Sequence, residues 1–491
     1  MRNRFGLLHL LIGITVVIQG CISVGPDYKR PESGDIVPTE FSVRSNATEE
    51  QEQIAAPISS TWWELYQDPV LNDLVAKALE NNADIKLAVA RVEEADAYLQ
   101  EVGAALFPTI GLQSNATRLR ISERSTIPVF PGLNAVRQIY AVSLGAEYEL
   151  DFWGKIRRAK EAARAQALAT HYARDTVYLS LSGLVATNYL LLRSLDAQLI
   201  VSRDILRDLE ESLRITRRRL EAGFNSALDV YQAETIHSNK VAEITELTRQ
   251  RAISEYQLAV LTGVLDLKLE EGNIETLPIP PTPPAGLPSS LLEARPDVRQ
   301  AEEQIIAATS NIGVAKAALF PSISLTSRFG RESITLGNLL KSAADIWTAG
   351  VHLNLPIFDA GRLLARLDQA SAQQKQALAS YESSIRTAFR EVNEALVTVR
   401  QSSEQEIALQ ASKDSAKKAL QISENRYNSG FSGYLEVLVS QRAHNDVALA
   451  VIQSRQNRLV ATVDLFKALG GGWEPESVRR SPLGFLEFFG Y

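Results

Sequence analysis

The feature of this chain that most constrains its fold is an internal repeat. Leu106-Phe107-Pro108 returns 213 residues later as Leu319-Phe320-Pro321. Further along, the segment Arg219–Phe224 has its counterpart 207 residues later in Arg426–Phe431. Two long copies with the same order of segments indicate an architecture that is built by repeating one unit.

Each copy contains two short segments in which apolar and polar residues alternate. The alternation is strictest from Tyr140 to Leu150 in the first copy and from Trp347 to Ile357 in the second copy. A period of two over this length predicts β-strands with one apolar and one polar face. We therefore expect two strands within residues 108–151, separated by a polar loop at 121–138, and two strands within residues 321–358.

These strands have the length that a tilted strand needs to cross a bilayer, about 10–12 residues. After the N-terminal segment the sequence contains no apolar stretch of about 20 residues, so no transmembrane helix is predicted. Four strands cannot close a barrel, because the smallest transmembrane barrels have about eight strands. An open sheet edge is not tolerated in lipid. The chain must therefore share a barrel with copies of itself, and three copies give twelve strands.

Long helical hairpins are predicted after each strand pair. Residues 154–220 contain no proline and place leucines on steps of three, four and seven, which is a heptad seam. At about 1.5 Å per residue this helix is roughly 100 Å long. The second copy repeats the pattern from Gly361. The expected turn and cap residues at the two hairpin tips, which we also expect to contact a docking partner, are Gly223, Ser226, Gly430 and Ser432.

The N-terminus carries a targeting signal. Arg2 and Arg4 precede an apolar run from Leu7 to Ile18, which is too short to span a bilayer but fits a secretory signal. The run ends just before Cys21, which is the only cysteine of the chain. This position predicts the acylation site of a bacterial lipoprotein. Since one acyl chain binds membranes only marginally, the lipid supplements the barrel as an anchor.

The boundaries of the segments follow from these patterns. A helical pattern begins near Pro69 and continues to Ala105, and Pro108 ends it. The predicted organisation is a signal peptide (1–20), a lipidated extended arm (21–68), a first structural repeat (69–277) with a long hairpin at 154–262, a Pro-rich linker (278–288), a second structural repeat (289–472) with a long hairpin at 361–469, and a C-terminal tail (473–491). The predicted fold class is an α+β membrane protein, in which a trimeric twelve-stranded transmembrane β-barrel continues into an antiparallel α-helical coiled-coil tunnel.

Composition and motifs exclude several classes of function. A net charge of −7 with pI near 5.6 argues against a nucleic-acid partner, which would require clustered Lys and Arg. The five histidines are scattered, and none has metal-ligand spacing to another ligand residue. There is no phosphate-binding glycine loop. We therefore predict no catalytic residue, no metal, no cofactor and no enzymatic activity.

A tube through the outer membrane must be closed at rest. Closure requires side chains near the hairpin turns to point at the threefold axis, where a leucine makes a dry plug and a Tyr or Arg bonded to a carboxylate makes a latch. The candidate gate residues are Tyr427, Leu435 and Arg442 in the second tip, with Asp229 and Glu234 in the first. The alternative is that these residues only cap helices or face solvent.

Several motifs occur in an order that is specific to one family. They are Cys21 before Gly25–Pro31, Tyr148–Gly154, Arg295–Glu302, Pro356–Arg362, and the run from Arg426 through Leu435 to Arg442. With them the chain resembles the TolC-like outer membrane efflux proteins, in particular the lipoprotein branch that serves resistance-nodulation-division (RND) pumps.

The resemblance implies a channel. It implies a homotrimer in outer-membrane lipid that extends into the periplasm, with a periplasmic adaptor (membrane fusion) protein and an inner-membrane RND transporter as partners. Leu435 would be the plug of the gate, and Tyr427 and Arg442 its latch. Val439 stands where family members carry an Asp, which leaves open which carboxylate completes the gate. Two alternatives remain: a type I secretion outlet for polypeptides, and a periplasmic coiled-coil scaffold lipoprotein.

Overall fold

The computed structural model describes residues 23–31, 59–122, 135–224, 226–282 and 291–472. The predicted signal peptide, Cys21, the C-terminal tail and most of the Pro-rich linker lie outside these residues. The first half of the chain carries α1 (Pro69–Asn81), α2 (Ala83–Ala104), β1 (Thr109–Arg120), β2 (Val136–Leu150), α3 (Lys155–Glu221) and α4 (Ala227–Thr262). The second half carries α5 (Leu291–Ala294), α6 (Pro296–Ala317), β3 (Ser322–Ser333), β4 (Asp345–Asn354), α7 (Arg362–Asn428) and α8 (Tyr434–Ala468).

The lengths of the long helices recur in the two halves. Helices α3 and α7 have 67 residues each, α4 and α8 have 36 and 35, and α2 and α6 have 22 each. The order of helices and strands is also the same. Across the described ranges, no helix combines the length and the apolar character required to cross a bilayer.

The four strands form one antiparallel sheet in the order β1-β2-β3-β4. Its register places Leu112 opposite Leu144, and Leu144 opposite Phe329 in the next strand. Phe329 in turn lies opposite Trp347, so these apolar side chains form one row across the sheet. The apolar face is exposed in the single chain, whereas the other face consists mainly of glycine residues and of polar residues such as Ser, Thr and Glu. The predicted period of two is therefore present in all four strands.

Two strand ends differ from the prediction. Strand β2 begins at Val136, within the expected polar loop, because Val136 to Gln138 pair with the last residues of β1. Strand β4 ends at Asn354, before the end of the alternating segment at Ile357. The reason is that Asn354 pairs with Ser322, the first residue of β3, so no described strand of the same chain lies beside the following residues.

The predicted continuous helix before the first strand is also interrupted. Asn82 separates α1 from α2 and adopts an extended conformation with φ −61° and ψ 138°. Its side-chain oxygen accepts from the backbone N–H of Asp84 at 2.8 Å, and its amide nitrogen donates to the carbonyl of Leu261 at 2.9 Å. Such local side-chain bonds compete with the helical backbone, and they end α1 here.

Each of the two long helices is preceded by an aspartate and, after it, by a glycine in the left-handed region. The carboxylate of Asp151 accepts from the backbone N–H of Arg157 at 2.9 Å, and that of Asp359 accepts from the backbone N–H of Leu363 at 3.0 Å. The φ angles of Gly154 and Gly361 are +77° and +82°, which favour glycine. An aspartate at a helix N-terminus satisfies orphan N–H groups, so Asp151 and Asp359 stabilise the first turns of α3 and α7 shortly after the strands end.

The chain divides into two compact units. One comprises the described residues 23–31 with Val92–Thr170 and Ala301–Tyr381, and contains the sheet. In this unit the segment 23–31 is held by several polar contacts. The Glu302 carboxylate accepts from the Tyr28 hydroxyl at 3.1 Å and pairs with Arg30 at 3.0 Å, and Asp27 pairs with Arg158. The segment is thus fixed to helices α3 and α6.

The other unit contains the main apolar core, which helices α1, α3, α4 and α8 share. Trp62 stacks on Phe466 with ring centroids 5.5 Å apart, and the Tyr66 hydroxyl lies 2.6 Å from that of Thr462. The fully buried Asp196 carboxylate accepts from Arg251 at 2.6 Å and from Arg193 at 3.1 Å. Both arginines also donate to carbonyl groups of the segment that follows α4. The network therefore holds this segment against the helices.

Candidate functional site at the hairpin tips

The two hairpins turn with the same backbone geometry. Gly223 and Gly430 have φ angles of +76° and +78°, a region that residues with a Cβ rarely adopt. The N–H of Phe224 donates to the carbonyl of Arg219 at 2.8 Å, and the N–H of Phe431 donates to that of Arg426 at 2.9 Å. These bonds close helices α3 and α7 with a Schellman-type end. The predicted turn glycines therefore occupy equivalent positions.

The caps of the returning helices are not equivalent. Ser226 stands at the N-cap of α4, and its backbone N–H donates to the Asp229 carboxylate at 3.2 Å. The N-cap of α8 is Gly433 rather than Ser432, so the prediction that Ser432 caps this helix is wrong. The repeat shift of 207 residues explains the error, because it aligns Ser226 with Gly433. The Ser432 hydroxyl is buried and has no hydrogen-bond partner among the described residues.

A hydrogen bond joins the two hairpins near their tips. The Tyr434 hydroxyl at the start of α8 lies 2.6 Å from the Ser212 hydroxyl on α3. Tyr434 is only 4% exposed, and its burial raises the pKa of the phenol. It packs in an apolar cluster with residues from both hairpins, namely Leu213, Val230, Ala233, Val437 and Leu438. The tips of one chain are thus held together by a dry contact with one polar bond.

Tyr427 belongs to the same contact. Its ring centroid lies 5.3 Å from that of Tyr434 and 4.5 Å from the guanidinium carbon of Arg219. A guanidinium over an aromatic face is attracted by the ring quadrupole. The structure therefore brings Tyr427 to an arginine of the first hairpin. It does not bring Tyr427 to Arg442, the other predicted latch residue.

Ion pairs lie on the outer sides of the tips. Glu234 pairs with Arg217 at 2.7 Å within the first hairpin, and Glu436 pairs with Arg426 at 3.0 Å within the second. Both pairs are substantially exposed, so each contributes at most about 1 kcal/mol. Asp229 and Glu234 therefore have partners within the first hairpin, and neither contacts Arg442 through the bonds described.

The remaining predicted gate residues project from one face of α8. Leu435 is 61% exposed, Val439 is similarly exposed, and the Arg442 side chain is 82% exposed. The spacing of four and three residues places them in one row along the helix. The nearest described carboxylate to Arg442 is that of Asp446, at 3.8 Å. A leucine, a valine and an arginine in one exposed row form a surface that another molecule can cover.

Two residues of this site escaped the sequence analysis. Ser212 lies on α3 next to the leucine seam, and Tyr434 aligns in the repeat with Ala227. The only sequence signal for this contact was the departure from the repeat, in which the second half has an aromatic residue where the first half has an alanine. Apart from these two residues, the tips use residue types that the sequence had indicated.

Comparisons with known proteins decide the family. The sequence model described as outer membrane efflux protein matches residues 74–264 and 287–471, which is most of the chain. This chain belongs to the outer membrane efflux protein family. The two matched segments each contain one strand pair and one long hairpin.

Individual relatives agree over nearly their full lengths. The solvent efflux pump outer membrane protein SrpC of Pseudomonas putida is 35% identical over 93% of this chain and 97% of its own. The probable outer membrane lipoprotein SilC of Salmonella typhimurium is 32% identical over 96% and 99%. The solved outer-membrane channel OprN has a TM-score of 0.84 at 28% identity, over 92% of this chain and 100% of its own.

Membership places this efflux protein in the bacterial outer membrane, as a channel component of an efflux pump. The family is one of efflux channels and is not an enzyme family. The alternative of a periplasmic coiled-coil scaffold is therefore wrong. The predicted lipidation of Cys21 lies outside the described residues and stays a prediction.

Proposed function

We propose that three copies of this chain form a closed conduit for efflux. The observation that carries the proposal is the four-stranded sheet, whose two edges have no partner strand among the described residues and whose apolar face is exposed. Short connections lead from β2 and β4 into helices of 67 residues. An open edge is costly in lipid. Three sheets joined edge to edge give a twelve-stranded barrel, and the hairpins continue it as a helical tunnel.

The conduit is passive and works as the outer part of a tripartite system. The chain contains no described cluster of residues that could hold a metal ion, and its sequence has no nucleotide-binding loop. The relative SrpC is named as the outer membrane protein of an efflux pump, and this supports an inner-membrane transporter, here proposed to be of the RND class, that supplies the energy and works through a periplasmic adaptor. The exposed side chains at the tips, among them Phe224, Phe431 and Tyr231, supply an apolar surface on which the adaptor docks.

The tips also close the conduit. In the trimer the row of Leu435, Val439 and Arg442 faces the axis, where three leucines make the plug. Tyr427, held by Arg219 and Tyr434, positions the second hairpin behind this plug. Within one chain the Arg442 guanidinium lies 3.8 Å from the Asp446 carboxylate. In the trimer, Asp229 or Glu234 of a neighbouring chain, or another carboxylate, would complete the latch, since Val439 carries no charge.

The cargo consists of small organic molecules. This proposal is supported by the relative SrpC, which is named as a protein of a solvent efflux pump. The inner-membrane transporter selects the cargo in this arrangement. A lipid on Cys21 adds a second anchor to the barrel, as in a lipoprotein such as SilC.

Two measurements on the purified full-length protein test the proposal. Its mass in detergent is expected to be three times the 54.0 kDa of one chain, apart from the signal peptide and bound detergent. Reconstituted in planar bilayers, it is expected to give discrete single-channel currents. A monomer without channel currents in any lipid would contradict the proposal.

A further inference from the structure

The repeat fixes more than the order of elements, because it also fixes the strand register. Leu112 lies opposite Leu144, and Leu325 lies opposite Val351. Strand β1 therefore maps on to β3 at a shift of 213 residues and β2 on to β4 at a shift of 207. The β1–β2 pair and the β3–β4 pair have one and the same register under these shifts.

The pairing of β2 with β3 joins the first copy of the unit to the second. The outer edges of β4 and β1 have no partner strand among the described residues. In a ring of identical chains, the second sequence repeat of one chain meets the first sequence repeat of the next chain. This contact is equivalent to the β2–β3 contact within one chain, where the first repeat meets the second. The same shifts then convert each β2–β3 pair into a β4–β1 pair between chains.

We propose that β4 pairs with β1 of a second copy in this transferred register, an inference that rests on the proposed trimer. The pair Leu144 and Phe329 becomes Val351 opposite Ala116 of the second copy. The pair Gly145 and Arg328 becomes His352 opposite Asn115 of the second copy. The register therefore specifies which residues lie opposite each other along the whole β4–β1 contact between two chains.

The early end of strand β4 supports the transferred register. The last three residues of β2, from Tyr148 to Leu150, pair with β3 alone. Their counterparts are residues 355–357, which belong to no strand in the single chain, and Ile357 is 92% exposed. In the transferred register Ile357 lies opposite Ile110 of the second copy, and Leu355 lies opposite Leu112. The β4–β1 contact would extend β4 to the length predicted from the sequence.

Disulfide cross-linking in isolated outer membranes tests the register. The double variant His352→Cys/Asn115→Cys of the full-length chain is expected to form covalent trimers under mild oxidation, because directly opposed residues lie about 4.5–5.5 Å apart at Cα, within reach of a disulfide. Diagonal positions lie about 7–8 Å apart. The variants His352→Cys/Gln113→Cys and His352→Cys/Thr117→Cys are therefore expected to cross-link at least about tenfold less.

A matched control uses the same engineered cysteine. Ser324 lies opposite His352 within one chain, so Ser324→Cys/His352→Cys is expected to give an internal disulfide and no covalent trimer. Single-cysteine variants show the background, including any contribution of Cys21. Val351→Cys/Ala116→Cys repeats the test on the apolar face if the first pair prevents assembly.

The outcomes separate the register from the proposed function. Covalent trimers from both in-register pairs support the transferred register. A protein of trimeric mass that cross-links only in the off-register variants overturns the register and leaves the conduit standing. A protein that is monomeric in the membrane overturns both.

Discussion

The hydroxyl groups of Ser212 and Tyr434 lie 2.6 Å apart, and this contact joins helices α3 and α8 through two residues that are 222 positions apart in the chain. It lies within an apolar cluster, so water does not compete for the bond. Any movement that separates the two hairpins of one chain at their tips must break it. The strength of this bond therefore bears on how easily the proposed gate would open.

The first prediction concerns this bond. Tyr434→Phe keeps the ring but leaves the Ser212 hydroxyl without its partner, which is expected to cost about 1 kcal/mol. The expected result is a lower thermal unfolding midpoint and longer open times of single channels. Tyr231→Phe is the matched control, because the ring of Tyr231 is exposed at the first tip. Equal behaviour of the two variants would show that the hydroxyl contact does not restrain the tips.

The second prediction concerns the plug. Leu435→Ala removes three methyl-rich side chains from the proposed constriction of the trimer, so the conductance is expected to rise severalfold in planar bilayers. Leu228→Ala is a close control, since Leu228 is also at a tip and is 62% exposed against 61% for Leu435. Arg442→Ala is expected to raise the conductance less, because it removes a latch and leaves the plug. A rise of the same size in Leu228→Ala would remove the special role of Leu435.

The third prediction concerns the polar face of the sheet, which lines the proposed barrel. The Glu147 carboxylate has no ion-pair partner in the described part of the chain, whereas Glu149 is paired with Lys155 at 3.0 Å. Glu147→Gln is therefore expected to reduce the preference for cations more than Glu149→Gln does, measured as reversal potential across a KCl gradient.

Salt concentration separates this electrostatic effect from a change of shape. The Debye length is about 30 Å at 0.01 M and about 3 Å at 1 M, so the fields of three carboxylates reach across the lumen only at low salt. The difference between the two variants should disappear at 1 M. A difference that persists there would point to a structural cause.

The fourth prediction concerns pH. Burial, and after it the neighbouring Asp208, raise the pKa of Glu424, which lies close to the second tip. A raised pKa in the folded state means that protonation favours folding, so this contribution is present below the ordinary glutamate pKa of about 4.3 and is lost as the pH rises. Asp208→Asn is expected to stabilise the protein at pH 7, by about 0.2–0.5 kcal/mol as for other like-charge pairs on helices.

The gain from Asp208→Asn should shrink at pH 4, where Glu424 is largely protonated. Thermal unfolding at the two pH values measures both effects. Asp204→Asn provides the comparison, because Asp204 pairs with Arg207 and its removal should not stabilise the protein. An equal gain from Asp208→Asn at both pH values would contradict this explanation.

Much of the fold was predictable because it depends on short periods in the sequence. Alternation located the strands, and the positive φ angles at Gly223 and Gly430 follow from a residue type that tolerates them. Boundaries set by pairing were less accessible, since Val136 joins β2 only because Arg120 lies opposite. The Ser212–Tyr434 contact joins positions far apart in sequence, and no local pattern contains that information. The break at Asn82 depends on a bond to Leu261, which is equally distant.

The outer edges of β1 and β4, which lack a partner strand in the described part of the chain, have a consequence for the assembly of the protein. If the proposed trimer forms, a newly exported chain carries two unpaired strand edges until two further chains bind, and such edges also pair with unrelated polypeptides. Assembly must then compete with aggregation in the periplasm, and the outcome depends on the supply of fresh subunits. Slow synthesis would favour the loss of monomers to aggregation, whereas rapid synthesis would favour assembled trimers.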